Sequence, residues 1–171
     1  MTMQIVDFSQ CHARILADLK KFGGLPALLG QPALARVAAQ DALDFFRNKV
    51  FAHHAEEEHD LFPLVLARAA QGDEWDGIRA YTQRLTQEHR SIESKWAQLE
   101  PEVSKLAQGD AGHLDDAAVQ SLVQDYVAHA AFEEAEFLPL CRTVLQRTQK
   151  DVTMSHLSHR MAWAPTMPAP L

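Results

Sequence analysis

The chain is poor in cysteine: Cys11 and Cys141 are the only two in 171 residues. That excludes a disulfide-stapled scaffold and predicts two buried thiols in a reducing cytoplasm. Positive charge is also short, with 16 Lys and Arg against 23 Asp and Glu and a formal net charge of -7. Such a balance argues against nucleic acid or an anionic membrane surface as partner. Neither a basic-then-apolar leader nor an uncharged apolar run long enough to cross a bilayer is found, so a cytoplasmic setting is expected. Alternating strand patterns are lacking as well. A chain of this length, 47% hydrophobic, is expected to form one all-α domain around one core.

Apolar residues recur at helical spacing in four stretches. Phe8, Ile15, Leu16 and Leu19 mark a first helix from Asp7 to about Phe22, stopped by Gly23, Gly24 and Pro26. A second, from about Ala33 to Ala70, presents Phe46, Val50, His53, Glu57, Leu61 and Leu64 on one face. Pro63 lies inside it and deprives the His59 carbonyl of its donor, which predicts a kink one to two turns beyond Glu57. A third helix runs from about Glu74 to Leu99, with an extension past Pro101 to Ala107, and carries Ile78, Leu85, His89, Ile92, Trp96 and Leu99. The fourth, about Leu114 to Gln149, carries Leu122, Tyr126, His129, Glu133, Phe137 and Leu140. Short connections between such helices predict an antiparallel up-down-up-down four-helix bundle over residues 1–150, with a Pro-rich C-terminal tail over 151–171.

One motif occurs twice. HHAEEEHDLFPL begins at His53 and HAAFEEAEFLPL at His129, so that His53, Glu57, Glu58, Pro63 and Leu64 fall on His129, Glu133, Glu134, Pro139 and Leu140, an offset of 76. His12 and His89 repeat at an offset of 77. Residues four apart share a helix face, so each His-x-x-x-Glu pair offers a nitrogen and a carboxylate to one point. His12 and His89 add one nitrogen each from the remaining helices, at a matching level in an antiparallel arrangement. Burying these groups unpaired costs several kcal/mol per charge, which cations at the centre would offset.

Ligand counting favours two cations. Two octahedral ions have about twelve positions, of which four imidazoles and two bridging carboxylates fill about eight. A solvent-derived bridge takes about two more and leaves about one open on each ion. Imidazole with carboxylate suits iron, bridged as Fe–O–Fe or Fe–OH–Fe, with manganese or zinc as possible substitutes. The expected metal ligands are therefore His12, His53, Glu57, His89, His129 and Glu133. The pair His54 and Glu58 competes one residue out of register; the repeat and Pro63 favour His53 and Glu57, so His54 is expected to matter little for metal content. Glu58 and Glu134 read as groups supporting the ligands, and Tyr126 as packing or as a hydrogen-bonding neighbour.

The composite of His12, His53-x-x-x-Glu57, His89 and His129-x-x-x-Glu133, with its EE doublets and LFP and FLP sequels, resembles the hemerythrin-like (HHE) cation-binding domain over about Phe8 to Val144. The resemblance implies a four-helix bundle with a non-haem di-iron centre, the four histidines as terminal ligands and Glu57 and Glu133 as bridges. Oxygen-carrying members use five histidines, two of them four residues apart on the third helix. Here Leu85 and Glu93 occupy those positions around His89. The ligand set is similar to that of bacterial proteins proposed to repair iron centres damaged by nitric oxide or oxidants. Glu93 is either a seventh ligand or a surface carboxylate.

Two function classes follow. One is binding or sensing of a small ligand without turnover, including oxygen or iron binding and storage; the other is chemistry on O2, NO or peroxide at the di-iron centre. A metal-stabilised scaffold is a third. A monomer or homodimer fits each.

Overall fold

The computed structural model describes residues 6–147; the expected tail, with His156 and His159, lies outside them. Four helical rods account for nearly all of that length. The first, α1, is Val6–Gly23, followed by a tight turn of 3-10 helix at Leu25–Leu28. The second, α2 (residues 32–66), joins Pro32–Phe45, Phe51–Glu56 and Phe62–Leu66 through two widened turns, Phe46–Val50 and Glu57–Leu61. The third, α3, is Asp73–Gln108, continuous through Pro101. The fourth, α4 (residues 116–147), joins Asp116–Phe132 and Leu138–Arg147 through the widened turn Glu133–Phe137. The second rod therefore stops short of Ala70, and the others end within a few residues of the expected limits.

Local chemistry sets these ends. Pro32 opens α2, where its missing N–H costs nothing. Asp115 caps α4, its side chain accepting from the Ala117 N–H. Gly109 closes α3 at φ 89°, a left-handed conformation that lets its N–H and that of Asp110 reach back to the Leu106 and Lys105 carbonyls.

Pairings across rods run in opposite residue order throughout. Between α1 and α2, Asp18 meets Lys49 and His12 meets His53. Between α2 and α3, Gln40 reaches the Ala107 carbonyl while Glu58 meets His89. Between α3 and α4, Arg147 pairs with Glu74 and Lys95 with Asp125. Gln120 donates to the Gly23 carbonyl and Glu134 meets His12, which closes α4 against α1. The result is an antiparallel four-helix bundle, up-down-up-down in sequence order.

The core is split in two by a polar layer. One apolar cluster includes Cys11, Ile15, Phe22, Phe46, Val50, Ile92, Trp96 and Tyr126; the other includes Phe8, Leu61, Phe62, Leu85, Phe137 and Cys141. The two cysteines are buried, not joined to each other, and lie in different clusters. Burial pushes the Cys11 thiol up to about 12 and raises Cys141 as well. In the first cluster Trp96 stacks on Phe46 at 3.8 Å and 15°, with Phe22 edge-on to both. Its truncation in Trp96→Ala is expected to cost about 3–5 kcal/mol. Loss of the cap in Asp115→Ala should cost about 1 kcal/mol. Equilibrium urea unfolding of the metal-free protein would check that ordering.

Candidate metal centre

The polar layer is made by α1 with His12, α2 with His53, His54 and Glu57, α3 with His89, and α4 with His129 and Glu133, all buried. Both site glutamates begin a widened turn. The Glu57 carbonyl accepts from the Phe62 N–H and the Glu133 carbonyl from the Leu138 N–H, five residues on, immediately before Pro63 and Pro139. Each proline lacks an N–H and crowds the carbonyl four residues back, and the chain accommodates it with an inserted residue upstream. The expected kink beyond Glu57 is thus an irregularity that starts at Glu57 itself. A third widened turn, with the Phe51 N–H on the Phe46 carbonyl, precedes His53.

All six expected ligand residues converge. His12 Nε2 lies 2.8 Å from His53 Nε2 and 2.8 Å from Glu133 Oε2. Glu57 spans two histidines, Oε1 at 3.6 Å from His53 Nε2 and Oε2 at 3.3 Å from His89 Nε2. Glu133 Oε2 is also 3.5 Å from His129 Nε2. Two overlapping groups of four result, His12, His53, Glu57 and Glu133, and Glu57, His89, His129 and Glu133, each with one donor atom per residue and all within 4.8 Å of one another. Donors about 2.1 Å from one octahedral ion stand about 3 Å apart, so these spacings suit a metal centre.

An outer ring of carboxylates aims the imidazoles. His12 Nδ1–H donates to Glu134 at 2.7 Å, His89 Nδ1–H to Glu58 at 2.8 Å and His129 Nδ1–H to Glu88 at 3.0 Å. Those acceptors are held in turn: Glu134 by the Ser9 hydroxyl, Glu58 by Arg90 and Glu88 by Arg84. A carboxylate acceptor fixes the proton on Nδ1 and turns the Nε2 lone pair inward. Each EE doublet thus has two tasks: its first glutamate faces the centre and its second props a histidine of the other half. The repeat interlocks, Glu58 with His89 and Glu134 with His12.

Most inner atoms are left without partners. Both oxygens of Glu57, Oε1 of Glu133, Nε2 of His54, His89 and His129, Nδ1 of His53 and the Tyr126 hydroxyl are buried with no hydrogen-bond partner among the described residues, while Glu133 Oε2 meets only imidazole nitrogens, His12 Nε2 the nearest. Burial, reinforced by Glu133, raises Glu57 well above the ordinary carboxylate range. Burial is the largest influence on Glu133 and raises it, but the hydrogen bond from His12 and the positive charges of His129, His12 and His54 together outweigh it and hold that carboxyl low. Burial likewise lowers His12, and the hydrogen bonds and charges of Glu133 and Glu134 together overcome it and lift that imidazole, whereas burial and the neighbouring imidazoles depress His53 and His89. Metal ligation needs deprotonated donors, so binding here would release protons.

Three features escaped the sequence reading. His54 points inward beside His53, Glu88 supports His129, and Glu93 hydrogen-bonds His54 rather than the centre, 3.2 Å from its Nδ1. Extending the level comparison that paired His89 with His129 by one residue would have found Glu88. Glu58→Gln and Glu134→Gln are each expected to weaken metal binding by about 10–100-fold. Competition with a chelator of known affinity measures it.

The hemerythrin HHE cation binding domain model matches residues 3–141. An uncharacterized protein of Haemophilus influenzae is 23% identical over 130 residues, which cover 74% of this chain and 72% of that one. No solved structure matches the chain significantly. Among the described residues no helix is long and apolar enough to cross a membrane. The family match spans the bundle that carries the buried histidine and glutamate layer, and the chain belongs to the hemerythrin HHE cation-binding domain family.

Proposed function

We propose that this chain holds two iron ions at His12, His53, His89 and His129, with Glu57 and Glu133 bridging them, and that the pair reacts with a small ligand, O2, NO or peroxide. The carrying observation is the set of unpartnered donor atoms turned inward from the bundle, both oxygens of Glu57 and Oε1 of Glu133 among them. A purely structural polar layer would cost several kcal/mol for each such charged group. Iron held here supplies an open coordination position and a one-electron couple.

The protein's own contribution is enclosure and aim. Phe8 stands 6.0 Å from His53, and Phe62 stacks on His89 at 6.1 Å and 16°. On the other side Tyr126 lies 5.7 Å from His129. These rings exclude bulk water and leave no room beside the donors for a large substrate. A cleft of about 180 Å³ between α3 and α4, lined by Glu88, Ser91, Ile92, Asp125, Ala128 and His129, borders the layer.

Glu57→Ala and Glu133→Ala are each expected to lose most of the bound metal, because each carboxylate serves both ions; two ions per chain in both variants would reject the bridging role. Removal of the metal should lower the melting temperature, since binding and folding are coupled. The decisive experiment is anaerobic reconstitution with ferrous iron followed by titration with O2, NO and peroxide under optical monitoring. Rapid oxidation or turnover supports the reactive reading, a stable reversible adduct assigns a carrier or sensor, and an inert centre sinks both.

A further inference from the structure

We propose that Tyr126 and His54 form a donor and acceptor pair beside the ion of His89 and His129, and that the pair selects a proton-bearing ligand, hydrogen peroxide, over O2 and NO. The inference deepens the paired-ion reading above and rests on it. Both side chains are enclosed, Tyr126 at 0% and His54 at 1% exposure. Neither the Tyr126 hydroxyl nor His54 Nε2 has a hydrogen-bond partner among the described residues. Their rings lie 6.0 Å apart at 15°, and both stand edge-on to His129, at 5.7 Å and 5.8 Å.

His54 is not aimed at the ion itself. Its ring stacks on that of His89 at 3.9 Å and 7°. The Nδ1–H groups of the two rings turn outward, to Glu93 and Glu58, and Arg90 holds both of those carboxylates. The two Nε2 lone pairs therefore run inward side by side without converging. An ion takes an imidazole nitrogen along its lone pair at about 2.1 Å, so an ion on the axis of His89 lies to one side of the axis of His54. What His54 faces is the space beside that ion, where a molecule attached to it would sit. One ring nitrogen from each of His54, His89 and His129 lies within 4.8 Å of the other two, so the space is small.

The two polar groups play opposite parts. Glu93 holds the proton on His54 Nδ1 and leaves Nε2 as an acceptor. Burial, with Glu133 and Glu57 adding to it, raises the Tyr126 phenol well above its ordinary value, so the hydroxyl keeps its proton and donates. A guest that satisfies both must accept one hydrogen bond and give another. Hydrogen peroxide does both, whereas O2 and NO have no proton to offer His54. The internal repeat shows that enclosure alone does not call for these groups. At the offset of 76, Tyr126 corresponds to Val50 and His54 to Ala130, and both of those are buried too. The polar pair therefore belongs to one flank of the centre, and leaving it unsatisfied there is destabilising unless a guest completes it.

The test loads the full chain with iron, oxidises it, and titrates it with azide and, by rapid mixing, with hydrogen peroxide. Charge-transfer absorption gives a dissociation constant for each. Azide at neutral pH accepts hydrogen bonds but carries no proton, so it can use Tyr126 and not His54. His54→Phe keeps the stack; it should weaken peroxide by about tenfold and leave azide binding and iron content unchanged. Tyr126→Phe should weaken both ligands by about that factor. Equal effects of His54→Phe on the two ligands, an unchanged peroxide constant, or loss of iron each overturn the pair. Where His54→Phe does not fold, Glu93→Ala releases the His54 proton to Nε2 and must lower the preference for peroxide over azide; an unchanged preference overturns the pair equally. A wild type that binds iron but neither ligand rejects the open position proposed above, and the pair falls with it. A wild type that binds both, with variants that behave like it, removes the pair alone.

Discussion

Two carboxylates inside a helical bundle, with their oxygens turned towards each other and away from water, constrain everything around them. Glu57 and Glu133 repel if both are ionised, and each is expensive to bury alone. The bundle could relieve this by letting water in, but rings from both apolar clusters close over the layer. It could supply arginines, yet Arg84 and Arg90 lie outside and pair with the outer carboxylates. What remains is positive charge small enough to sit between the side chains. A proton or a metal ion meets that condition.

The rest of the architecture follows from holding those donors still. An imidazole on a helix has two free torsions, and its second nitrogen is the handle by which the fold fixes it. Three of the repeat histidines are gripped by a glutamate from a neighbouring rod, and the rods are thereby registered against each other. Widened turns at Glu57 and Glu133 accommodate the prolines that follow. These are departures from regular helix at functional positions, where local irregularity is most often tolerated.

Much of this was legible in the residues. Apolar stripes gave four helices, and the doubled His-x-x-x-Glu with its matching levels gave the six converging side chains. The irregular turns were not, because a proline shows where a hydrogen bond is lost and says little about where the chain takes up the slack. His54 entered only as part of a competing register, because adjacent residues differ by about 100° on a helix and the repeat does not say how wide the buried arc is. The buried arc is wide enough here for both. Glu93 was read as a seventh ligand or a surface carboxylate and Glu88 was passed over, because each shows its role only through its partner on another rod.

The crossed grip of the two halves bears on where such a chain comes from. Glu58 belongs to the first copy of the motif and steadies a histidine of the second; Glu134 does the reverse. A helical hairpin carrying one copy alone would own a single buried carboxylate facing the centre, and its supporting glutamate would have nothing to hold. An ancestor of half this length would have worked only as a symmetric pair, each hairpin lending its spare acid to its twin. Joined in one chain the two copies need not match, and here a histidine in one, His54, stands at the position of an alanine, Ala130, in the other.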